Sequence, residues 1–110
     1  MTRPARTATQ ILAEIDVFRP RGGVWLPLDQ LLSELWAAGL AAEHLPVLFR
    51  VFERFPEDDG AGVLWSIVHG VEHSGLDYEL DLHSSMARRP SLMADIMLQR
   101  LERSRAAGAS

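Results

Sequence analysis

Six short runs along this 110-residue chain share one design: large apolar residues three and four apart, and in all but the last a glycine or proline close behind. That spacing puts the apolar side chains on one face of a helix. The first run, "ATQILAEIDVF", sets Ile11, Leu12, Ile15 and Phe18 on one stripe, with Thr7 or Thr9 available as N-cap. "RPRGGVWLP" breaks it with a Gly-Gly pair and two prolines. "LDQLLSELWAAG" follows, with Leu28, Leu31, Leu32, Leu35 and Trp36, and stops at Gly39. "EHLPVLFRVFERFP" carries Leu45, Leu48, Phe49, Phe52 and Phe55. Pro46 fits only its first turn, and Pro56 ends it.

"GVLWSIVHGVEHSG" is the fourth run, closed by Gly75. It is the expected central helix, because Trp65 lies off its main apolar arc and needs a second neighbour to cover it. "LDYELDLHSSMARRP" holds Tyr78, Leu82 and Met86. Its alternation could pass for a strand, but no partner strand exists elsewhere, so a helix is expected. Ser91 then caps "LMADIMLQRLERS". The fold class expected is all-α: about six short helices in antiparallel hairpins, as a compact bundle or a short HEAT-like superhelix. Residues 1–104 form one domain, and 105–110 a frayed tail.

Composition narrows the function classes. There is no cysteine, hence no disulfide framework and no thiolate metal site. No apolar run approaches the length of a membrane span, and "MTRPARTATQ" lacks the apolar core of a secretory signal, so a cytoplasmic location is expected. The net charge of −4 is unevenly spread. Residues 53–81 hold eight carboxylates against Arg54 alone, a local charge of −7, while arginines gather toward both ends. Such a centre repels phosphate and disfavours nucleic acid; it suits a basic protein partner.

One catalytic pattern is present. His69, Glu72 and His73 spell H-x-x-E-H, the inverted zinc-protease order, with both histidines on one helix face. A zinc-dependent hydrolase needs a third ligand and a supporting shell. His83 and Asp77 are the nearest nominees, supported only by their place in the sequence, so no metal site is expected. A plainer account serves each residue. His69 and Glu72, three apart, form a polar contact on the helix, and His73 complements the dipole at its end. No nucleophile elbow, phosphate loop or cysteine nucleophile is present. No catalytic residue and no cofactor are assigned.

"GVLWSIVHGVEHSGLDYELDL" followed by "RRPSLMADIMLQRLERS" resembles the C-terminal half of an all-α family of bacterial immunity proteins from polymorphic toxin systems. Trp65, Ser66, His69, Glu72, Tyr78, Pro90, Leu98, Arg100 and Leu101 carry the resemblance, which covers about residues 60–104. Ser-Leu-Met stands after Pro90 where the family has an aromatic, and Glu102-Arg103 where it has an asparagine. The resemblance implies a non-enzymatic role: binding and neutralising a cognate protein toxin. The acidic centre adds the expectation of a basic toxin, such as a nuclease. Glu72, Asp77, Tyr78 and Asp81, with His69, are the expected contact residues, since the carboxylates gather at one end of the fourth and fifth helices. Glu57, Asp58 and Asp59 should form a separate patch at the other end. A small helical adaptor or scaffold protein is the alternative from another class.

Overall fold

The computed structural model describes residues 6–108, and they are all-α. Six α-helices follow one another: α1 (Ala8–Asp16), α2 (Leu26–Ala38), α3 (Leu45–Arg54), α4 (Leu64–His73), α5 (Glu79–Arg88) and α6 (Leu92–Gly108). Two one-turn 3₁₀ helices, Ala42–His44 and Gly60–Gly62, lead into α3 and α4. The described residues contain no strand; a single β-bridge, Arg21 with Val24, closes the Gly22-Gly23 turn. No helix is long and apolar enough to cross a membrane.

Local chemistry fixes most helix ends. Thr7 caps α1 in a reciprocal capping box with Gln10: each side chain bonds the other's backbone N–H, at 3.2 and 2.9 Å. Prolines occupy the first turns of α2 and α3, where a missing N–H costs nothing. The Ser91 hydroxyl accepts the Ala94 N–H at 3.3 Å, capping α6. Helices α4 and α5 are shorter than their sequence runs. The first stops at His73, before Gly75, and the second starts only at Glu79, which leaves Asp77 and Tyr78 in the connection. Helix α6 runs through Arg105 to Gly108, past the expected start of fraying, but residues 102–108 are all exposed. Residues 109 and 110 lie outside the described part.

The helices form two layers. Helices α1, α3 and α5 pack side by side, as do α2, α4 and α6, and the pairs α1/α2, α3/α4 and α5/α6 join the layers. The most central helix is α3, not the expected α4: it touches α1, α4, α5 and α6. Its Leu45, Leu48, Phe49, Val51 and Phe52 are buried, with Phe49 and Phe52 stacked at 5.8 Å. The strong apolar face of "LPVLFRVF" accounts for this, because one stripe wide enough to meet several neighbours belongs in the middle.

Trp65 is only half-buried, so it is not the core residue the sequence led us to expect. Of the three tryptophans only Trp25 is buried; Trp36, like Trp65, packs on the core from its edge. Trp25, from the Gly/Pro-rich connection, is 7% exposed and packs against Phe18 and Phe55 at centroid distances of 5.8 and 4.9 Å. Trp36 of α2 lies flat on α4 at Gly70, where an added Cβ would come within 2.5 Å of its ring. Gly70→Ala is therefore expected to destabilise the protein by about 1–2 kcal/mol: displacing a packed ring outweighs the roughly 1 kcal/mol that alanine gains in a helix. A chemical denaturation midpoint that rises on this substitution would contradict the packing.

Polar ties hold the helices of the α1–α3–α5 layer in register. Arg50 clamps Asp16 at 2.9 and 3.1 Å, and Arg54 donates to the Ile15 carbonyl at 2.8 Å, which joins the end of α1 to α3. Between α3 and α5, Glu53 accepts the Ser85 hydroxyl at 2.8 Å and two bonds from Arg88 at 3.0 Å. Burial alone would raise the Glu53 pKa, but the bonds from Arg88 and Ser85 outweigh it and hold the carboxylate below its ordinary value. A carboxylate with a lowered folded-state pKa stabilises above its unfolded value, about 4.3, and loses that contribution as pH falls through the folded value. Glu53→Gln should thus cost stability at neutral pH and flatten the acid side of the pH–stability curve. An unchanged acid slope would show that the pairing contributes nothing.

Candidate partner-binding faces

The connections fall at two ends of the stack. The α1–α2, α3–α4 and α5–α6 connections share one end: Trp25 meets Phe55, and the Leu92 N–H donates to the Pro56 carbonyl at 2.7 Å. The α4–α5 connection lies at the other end, where Leu40, just past α2, lines a groove with His73 and Ser74. The expected contact residues belong to this second end and to the α4 face beside it.

Glu72 and Tyr78 come together there. They line an open cleft of about 500 Å³ with Arg100, Leu101, Arg103 and Ser104 of α6. Glu72 is not a free carboxylate, since Arg100 clamps it with bonds of 2.9 and 3.0 Å. The expected His69–Glu72 contact is replaced by this pairing, because the guanidinium matches both carboxylate oxygens at once. Burial raises the pKa of the Tyr78 phenol, and the Glu72 charge adds to it, against a smaller opposite effect of Arg100.

Each member of the H-x-x-E-H string is thus occupied separately. His69 is exposed and lies against Trp65, ring centroids 5.9 Å apart. His73 Nδ1 is 2.8 Å from the His69 carbonyl oxygen, to which it donates. Among the described residues no group of three His, Cys, Asp or Glu side chains converges as a metal ion would require.

The other half of the expected site is the start of α5. Asp77 is exposed and accepts the Glu79 N–H at 3.3 Å, a local cap that also suits the helix dipole. Asp81 is partly exposed and has no arginine within ion-pair distance. Between them Leu80 is 79% exposed, the highest value among the large apolar side chains of the described residues. Sequence reasoning passed over Leu80; its signal is an apolar residue off the Tyr78/Leu82/Met86 stripe.

Folding redistributes the acidic centre. Arginines from the C-terminal part cancel three of its carboxylates: Arg88 takes Glu53, Arg100 takes Glu72 and Arg105 takes Glu79. Among the described residues, carboxylates of that centre without an ion-pair partner remain in two places. One is Asp77 and Asp81 around Leu80. The other is Glu57, Asp58 and Asp59, all exposed in the α3–α4 connection. No family model, curated protein or solved structure matches the chain.

Proposed function

We propose that this protein is an immunity protein that neutralises a basic protein toxin by direct binding, with the start of α5 at the centre of the contact. The supporting observation is Leu80, 79% exposed between Asp77 and Asp81, neither of which is ion-paired with an arginine among the described residues. An exposed apolar side chain ringed by like charges costs solubility nothing, yet gives a cationic partner both an anchor and a field. Tyr78 adds a phenol beside it, at the mouth of the Glu72–Arg100 cleft. Such a face blocks a toxin either by covering its active site or by holding an adjacent surface. The resemblance over residues 60–104 supports a toxin, rather than another basic protein, as the partner.

The test is genetic and then physical. The product of the gene next to this chain's own gene is expressed in a host that lacks both. Growth arrest, relieved by co-expression of this chain, together with co-elution of the two proteins as a complex that weakens with salt, is the expected result. A neighbouring product that arrests growth and is not relieved would overturn the assignment, as would a neighbour that is not toxic.

A further inference from the structure

The end of the stack that holds Glu57, Asp58 and Asp59 has a second half of opposite character. In the α1–α2 connection, Gly22 and Gly23 both have positive φ, 58° and 74°, and make a tight turn that sets Arg21 opposite Val24. Neither Arg19 nor Arg21 has a carboxylate within ion-pair distance among the described residues, and Arg19 lies in the repelling field of Arg54. Both line a groove of about 510 Å³ with Phe18, Val24 and Pro27. Around it Val17 is 76%, Val24 54% and Leu26 59% exposed, so three of the five most exposed large apolar side chains of the described residues gather in and beside this connection. The contact face at α5 uses none of them.

The two halves adjoin. Trp25 lies against Phe55 and over Gly60, so the basic, apolar connection stands beside the acidic one. Beyond the carboxylates the apolar surface continues into a groove of about 450 Å³ that includes Pro56, Met86, Pro90 and Leu92. Arg89 lines a groove with Glu57 and Asp58 and pairs with neither.

We infer that this end binds a second copy of the chain as a two-fold symmetric dimer. A two-fold rotation about an axis through the end lays the basic half of one copy on the acidic half of the other, and does so twice. Arg19 and Arg21 of each copy then meet Glu57, Asp58 and Asp59 of its partner, Val24 and Leu26 pack beside them, and the Leu92 groove flanks the contact. A face with adjacent halves of opposite charge is complementary to itself under that operation. An unrelated partner would need the matching pattern by design. The dimer leaves the α5 starts free at the far ends, so it is independent of the toxin-binding reading.

Sedimentation velocity over a concentration series tests it, using the full chain. The expected result is a monomer–dimer equilibrium that shifts to monomer as salt rises. Arg19→Glu with Arg21→Glu makes the end uniformly acidic; Asp58→Arg with Asp59→Arg reverses the other half. Each double variant alone is expected to be monomeric. Mixed in equal amounts, the two should form a heterodimer tighter than the native dimer, since one face is then acidic throughout and the other strongly basic. Restored assembly in the mixture also shows that both variants fold. A native chain that stays monomeric up to its solubility limit overturns the inference. So does a dimer that survives both reversals, or a mixture in which no heterodimer appears while both variants keep their helical circular dichroism.

Discussion

Under the function proposed above, Asp77→Lys combined with Asp81→Lys is expected to weaken toxin capture roughly a hundredfold or more. Close charge pairs across an interface couple by at least about 1.5 kcal/mol each, so losing two removes about 3 kcal/mol before any repulsion is counted. The new lysines would face a cationic surface, and the loss should exceed that figure at low salt and shrink as salt screens the repulsion. The fold should suffer much less. Asp77 caps α5 through the Glu79 N–H, and losing such a cap costs about 1 kcal/mol. Asp58→Lys with Asp59→Lys is the matched control, because the same charge is reversed at the opposite end of α4. Isothermal titration of both variants against the toxin decides the matter. If the control abolishes binding and the α5 pair does not, the toxin lies against the other end. If neither weakens it, these carboxylates serve only solubility.

The largest effect on stability is expected at Trp25. Trp25→Ala should cost about 3–5 kcal/mol, the range for burying and then deleting a large aromatic. Phe18 and Phe55 lose a neighbour at once, and the Gly60 backbone loses its cover. A domain of this size holds only about 5–15 kcal/mol in total, so the variant should be close to unfolding at 37 °C. Trp65→Ala provides the comparison. Its ring is half-buried and touches the exposed His69, and about 1–2 kcal/mol is expected from the smaller area it covers. Equal costs in urea titrations would mean that the two tryptophans are equally enclosed, contrary to the packing described.

These two residues mark where sequence reading succeeds and where it stops. The six helices were legible because each has a periodic stripe and five of them a glycine or proline behind it. Periodicity is a property of one segment. The role of Trp25 is not, since it sits among glycines and prolines that locally read as a loop, and only the approach of Phe55 from thirty positions away gives it a core. The choice of α3 over α4 as the centre was hidden for the same reason: both have apolar stripes, and which one meets more neighbours depends on the layering. The candidate face was half legible. Asp77, Tyr78 and Asp81 could be placed at the α4–α5 connection from helix lengths alone. That Glu72 is cancelled could not, because Arg100 lies 28 residues away and nothing local pairs them. Leu80 could have been found, by asking which apolar residue the α5 stripe fails to use.

Helix α6 has a consequence for how the molecule opens. Leu101 is the last of its side chains packed on the core, and every residue from Glu102 to Gly108 is exposed. The Arg105–Glu79 pair helps to fasten this stretch, with Arg100–Glu72 at its root. Ion pairs at an exposed surface hold by well under about 1 kcal/mol each and fade within a Debye length of roughly 8 Å at physiological salt. The last turns should therefore detach and re-form without disturbing the rest, as a unit whose opening free energy is near zero. In hydrogen exchange their amides would trade deuterium almost as fast as a free peptide, while those of α3 would wait for global unfolding. Added salt would extend the fast-exchanging stretch inward as far as Leu101 and no further.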